Sequence, residues 1–173
     1  MITKTVVVAL SLAMAACVAS PQNGTVSSVA ASRAAFDHYA TFSFGFADPP
    51  DPGYQVTARS LEVQRRLRGI VKGRLERAGY VESPQASDLV VKLATGMVPP
   101  TKANPDVQWS EPTPALGYIG VHVYDAQTAL MIWQGSAVAE IDVAHINDAL
   151  LERGVDRMLS GLPSARKKLA TSN

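Results

Sequence analysis

Tyr118-Ile-Gly-Val-His-Val-Tyr124 and Leu130-Met-Ile-Trp-Gln-Gly-Ser-Ala-Val-Ala-Glu-Ile141 are the stretches whose reading decides the fold. In the first, Ile119, Val121 and Val123 alternate with Tyr118, His122 and Tyr124. That is period 2, the signature of a strand with two different faces. Asp125-Ala-Gln-Thr128 then reads as a turn with Asp at its first position. The second run pairs back on the first as an antiparallel hairpin.

Working outward, Asp88 to Thr95 reads as another strand, with Leu89, Val91 and Leu93 on one side. Phe36 to Phe46 carries Ala40, Phe42, Phe44 and Phe46 in alternation, a strand with an aromatic face. Asp48-Pro-Pro-Asp-Pro-Gly53 stops it, since proline cannot extend a ladder. Ser60 to Ala78 places Leu67, Ile70, Val71, Leu75 and Ala78 on one helical face. Ser60 is the expected N-cap, Gly79 the stop, and Tyr80 closes over the end. Ile146 to Leu159 is a second helix, ended before Pro163. Val98 to Pro114 holds five prolines and reads as a long loop. The order β-α-β-β-β-α predicts an α+β two-layer sandwich, a four-stranded, mainly antiparallel sheet with two helices on one face.

The chain has 173 residues, 47% apolar and 18% charged, which suits one globular domain. Sixteen basic residues balance fifteen acidic ones, so nothing calls for nucleic acid. Met1 to Ala16 reads as a signal peptide, with Lys4 ahead of the apolar run Val6 to Ala13. That run is far shorter than the roughly 20 residues of a membrane span. Cleavage is expected between Ala16 and Cys17. Residues 17–34 read as a lipidated cysteine and flexible tether, 35–163 as the domain, and 164–173 as a polar tail.

Met14-Ala-Ala-Cys17 resembles the bacterial lipobox, with Met at the usual Leu position. The resemblance implies a lipid on Cys17, and Val18 after it suggests sorting to the outer membrane, on the periplasmic side. The domain resembles the bacterial lipoprotein family catalogued as domain-of-unknown-function family 4136. The stretches that carry this are Tyr39-Ala-Thr-Phe-Ser-Phe44, Leu75-Glu-Arg-Ala-Gly-Tyr80, Asp88-Leu-Val-Val91, Gly120-Val-His-Val-Tyr-Asp125, Ile132-Trp-Gln-Gly-Ser-Ala137 and Leu162-Pro163. They run from about Phe36 to Pro163. The resemblance implies an envelope lipoprotein of α+β fold and assigns no catalytic residues.

Catalytic signatures are absent from the sequence. There is one cysteine and no His-x-x-x-His pair, so no zinc-ligand spacing occurs and no metal or other cofactor is expected. Asp125 with Glu140 or Asp142 is the one carboxylate set a hydrolase of envelope polymers could use. Asp125 is explained as well by its turn. Trp133 could be a stacking platform or core filler. Tyr118, His122 and Tyr124 share the sheet face opposite the helices, a candidate surface for an envelope protein or glycan. Arg65, Arg68 and Lys72 give the first helix a basic face suited to anionic headgroups or an acidic partner. The expected function is a non-catalytic interaction or assembly module on a membrane anchor. The alternative is a periplasmic carrier of a small or lipidic ligand, held under the Val98–Pro114 loop.

Overall fold

A computed structural model describes residues 25–31, 36–98, 115–141, 146 and 148–165. The strands are β1 (Thr25–Ala30), β2 (Thr41–Phe44), β3 (Val81–Glu82), β4 (Leu89–Met97), β5 (Ala115–Asp125) and β6 (Met131–Ile141). The helices are α1 (Ala58–Arg77) and α2 (Asp148–Leu159), with a 3₁₀ turn at Phe36–His38. The sheet order is β1-β6-β5-β4-β2-β3.

The expected four-stranded, mainly antiparallel sheet is therefore corrected to a six-stranded mixed sheet, still within an α+β fold. Two physical causes account for the difference. β1 arises from Thr-Val-Ser-Ser-Val-Ala, which was expected within the tether. An edge strand is stabilised by its partner's backbone, here Thr25↔Val138 through Ala30↔Trp133, and needs no apolar alternation of its own. The mixed character comes from α1. A helix between two strands carries the chain back to the same end, so β2 runs parallel to both β3 and β4.

α1 starts earlier than Ser60. Thr57 is the N-cap, its side chain accepting from the Ser60 amide at 3.1 Å while the Thr57 amide donates to Ser60 Oγ at 2.7 Å. Ser60 thus closes a capping box from the third helical position. At the other end Gly79 has φ +96°. The Gly79 amide donates to Glu76 O and the Tyr80 amide to Leu75 O, two bonds that satisfy the last carbonyls. Tyr80 is buried there and its hydroxyl donates to Pro163 O at 2.8 Å.

Leu67, Val71 and Leu75 of α1 and Val155, Met158 and Leu159 of α2 pack against Phe42, Leu89, Val91, Val121, Val123 and Trp133 of the sheet. A second, smaller cluster of Val63, Ile146 and Leu151 lies toward the Ile141 end. Arg74 bridges the helices to Asp156 at 3.3 Å.

The family-like stretches form joints of this frame. Asp88 Oδ2 accepts from the amides of Ala40 and Thr41 and from the Thr41 hydroxyl, each at 2.9 Å. Asp125 Oδ1 accepts from the Gln127 and Thr128 amides, and its Oδ2 accepts from the Tyr39 hydroxyl at 2.7 Å. Asp125 therefore closes the β5–β6 turn and ties it to the start of β2.

Candidate functional site

The sheet face opposite the helices is lined by side chains of alternate positions on β4 and β5. Tyr118, His122 and Tyr124 lie there together, as their spacing requires. Over β4 and β5 the face is not open, however, whereas Ser27 and Val29 on the β1 side stay exposed. The connection from Gly45 to Thr57 runs along β4 and folds across it. Gly45 and Asp48 donate from their amides to Val91 O and Leu93 O, and Gln55 bridges Met97. A Cβ at Gly96 would meet Pro50 and Tyr54 at 2.8 Å, so the missing side chain lets the strap lie flat on the sheet.

Tyr118 is 2% exposed and His122 7%. The Tyr54 ring rests on the Tyr118 ring with centroids 5.0 Å apart. Asp48 is the centre of a polar cluster. Its Oδ2 lies 2.8 Å from His122 Nδ1 and accepts from the Tyr124 hydroxyl at 2.6 Å. Its Oδ1 lies 3.3 Å from Lys92 Nζ, and that ammonium sits 4.4 Å from the centroid of the Tyr124 ring.

Burial alone would raise the Asp48 carboxyl, but the bonds from Tyr124, His122 and Lys92 outweigh it and hold it below the ordinary carboxylate value. Burial, then the bond to Asp48, pushes the Tyr124 hydroxyl up to about 12. Burial and the nearby charge of Asp51 push Tyr118 up as well. The cluster is a lock between strap and sheet. The sequence singled out its tyrosines and histidine but missed Asp48 and Lys92. β2 ends at Phe44, before the prolines, and only the course of the strap along β4 brings Asp48 and Lys92 to His122 and Tyr124, a long-range contact that leaves no local pattern in the sequence.

The other candidates are dispersed. Asp125 and Glu140 stand near opposite ends of the β5–β6 ladder. Ten residues of strand separate the two levels by about 30 Å, far beyond the roughly 5 to 9.5 Å of a glycosidase pair. Asp142 lies outside the described residues. Trp133 is 1% exposed and cannot act as a surface platform. Among the described residues no three His, Cys, Asp or Glu side chains gather as metal ligands. Ala16, Cys17 and residues 99–114 of the proposed ligand-covering loop lie outside the described residues.

The basic face of α1 is partly spent on structure. Lys72 pairs with Glu82 and with Glu76, the latter at 3.3 Å. Arg68 lies over the Phe44 ring at 4.4 Å and 4.0 Å from Glu82. Arg65 faces a groove with Phe44, Gly45, Leu61 and Arg68. Beside the groove Phe46 is 96% exposed, and Val56 and Leu61 are also exposed. Phe46 had been expected on the aromatic face of a strand; β2 ends at Phe44 and leaves it outside.

A second pocket lies between α2 and the Ile141 end of the sheet, with a volume of about 170 Å³. Val63, Ile119, Ile141 and Leu151 line it together with Arg153 and Arg157.

Residues 26–164 match the family described as "Domain of unknown function (DUF4136)", and the chain belongs to that family. No curated protein matches it in sequence. Among solved structures it is similar to a PelC dodecamer from Paraburkholderia phytofirmans, with a TM-score of 0.55 and 14% identity over 84% of this chain and 100% of that one. It is also similar to a PDZ domain protein from Parabacteroides distasonis, with a TM-score of 0.57 and 12% identity over 83% of this chain and 37% of that one. At such identities the likeness is one of fold.

Proposed function

We propose that this member of the DUF4136 family is a lipid-anchored module of the bacterial envelope that works by contact and not by catalysis. The observation that carries the reading is Met14-Ala-Ala-Cys17 at the end of an apolar leader. Cleavage before Cys17 and acylation of it would fix the domain to a membrane, and Val18 in place of an Asp after the cysteine supports sorting to the periplasmic side of the outer membrane. Each buried methylene of the anchor contributes about 0.8 kcal/mol, so two or three chains on one residue hold the protein firmly.

β1 begins at Thr25, eight residues beyond Cys17. Fully extended, that connection reaches at most about 29 Å. The folded domain then stays close to the lipid surface, on a shorter leash than a tether to residue 34 allows. The contact surface is the groove of Phe44, Leu61, Arg65 and Arg68, with Phe46 exposed two residues beyond Phe44, on the β2 side of the sheet and away from the tethered β1 edge. Its apolar floor and cationic rim suit an envelope partner that presents acidic groups.

Radioactive fatty acid fed to cells expressing wild-type protein is expected to label it, and the Cys17→Ala variant is expected to stay unlabelled. Label on neither would remove the anchor. A photo-crosslinking residue at Leu61 in intact cells should capture one discrete partner, and substitution of Arg65 and Phe46 should weaken the capture. Equal capture from a site on the far edge, such as Ser27, would remove the contact surface.

A further inference from the structure

We infer that the pocket between α2 and the Ile141 end of the sheet binds a single-chain anionic amphiphile, with its alkyl chain in the cavity and its charged oxygens at Arg153 and Arg157. The cavity exists because small residues stand where the core elsewhere has large ones. Gly117, Ala137 and Ala139 on the sheet and Gly154 on α2 leave about 170 Å³ unfilled. An apolar pocket of about that size takes up apolar ligands of matching shape. Water gains little there, because the walls offer few polar partners.

The mouth has a different character. Arg153 and Arg157 are exposed, four residues apart, and on one face of α2. Among the described residues neither has an acidic partner, whereas Arg66, Arg74 and Arg77 each do. Two guanidinium groups at the rim of an apolar cavity match a headgroup with several anionic oxygens, because each can donate a fork of bonds. A neutral hydrocarbon would use the cavity and leave the rim idle. An anion without a chain would use the rim and leave the cavity empty. An acyl chain ending in an anionic group satisfies both. The inference goes beyond the contact role above and uses a separate surface.

The test uses the full-length chain carrying Cys17→Ser, purified without detergent and titrated calorimetrically. The probes are hexanoate, octanoate, decanoate and decanol. Affinity is expected to rise by about fourfold per methylene until the cavity is full. Decanoate should bind about tenfold more tightly than decanol, the effect of two exposed charge pairs. In Arg153→Gln/Arg157→Gln the two probes should become equal, with decanol binding retained. Ala139→Leu should remove the dependence on chain length, and Gly154→Ala should reduce it if the first variant does not fold. Methyl spectra of each variant report whether the fold is kept. Affinity independent of chain length, equal binding of decanoate and decanol, or unchanged binding in both cavity variants would overturn the inference. Because this chain carries no lipid, such a result leaves the anchor at Cys17 untouched.

Discussion

The two ends of the layer between helices and sheet are packed in opposite ways. At the β5–β6 turn end, Trp133, Phe42, Tyr80, Leu67, Leu75, Leu89 and Met158 fill the space and are almost fully buried. At the Ile141 end, three residues form a small cluster of their own, and glycines and alanines surround a cavity. One continuous sheet thus spans a dense region and a hollow one. Close packing is what makes a core costly to disturb, because side chains there have no space into which to relax. The hollow end gives up that contribution and keeps room for a ligand.

The largest expected effect tests the dense end. Trp133→Ala should destabilise the domain by about 3–5 kcal/mol in urea unfolding. A loss under 1 kcal/mol would mean the filled end is not the anchor of the fold. Next come two glycine-to-alanine substitutions of opposite sign. A Cβ at Gly135 would run into the Trp133 ring, which lies over that residue. Gly135→Ala should therefore cost about 1–3 kcal/mol through overpacking. At Gly154 a Cβ meets only the tip of Ile119, at 3.3 Å, and that side chain has the cavity beside it. Gly154→Ala should stabilise by up to about 1 kcal/mol through helix propensity. If both variants shift the midpoint in the same direction, the contrast between the two ends fails.

The smallest effect comes from the covered outer face and is read against pH. The Asp48 carboxyl is held below the ordinary 3.8 in the folded protein. Its contribution is present above that value and is lost as pH falls through the lower folded one. Asp48→Asn should flatten the acid limb of the melting temperature below about pH 4 and lower it slightly near neutrality. An acid limb identical to wild type would show that the lock contributes nothing.

Much of this frame was legible in the residues. The alternation of Ile119, Val121 and Val123, the Asp125 turn, the helical spacing of Leu67, Val71 and Leu75, and the stop at Gly79 all describe local geometry. Local geometry leaves a periodic trace. The candidate site was half legible: Tyr118, His122 and Tyr124 do share a face, yet nothing in their spacing says that Asp48, Pro50 and Tyr54 will cover it. Phe46 had a place in an alternation that the backbone abandons two residues earlier.

By itself the sequence determined an α+β chain with a closing hairpin and a long helix stopped at Gly79, because each is written in neighbouring residues. Only the tertiary structure decided that Thr25–Ala30 joins the sheet, that β2 runs parallel to β4, that a proline-rich strap covers the β4–β5 part of the outer face, and that one end of the core stays hollow. Those four outcomes depend on partners distant in the chain, whose backbone bonds and side-chain volumes leave no periodicity in the segments they control.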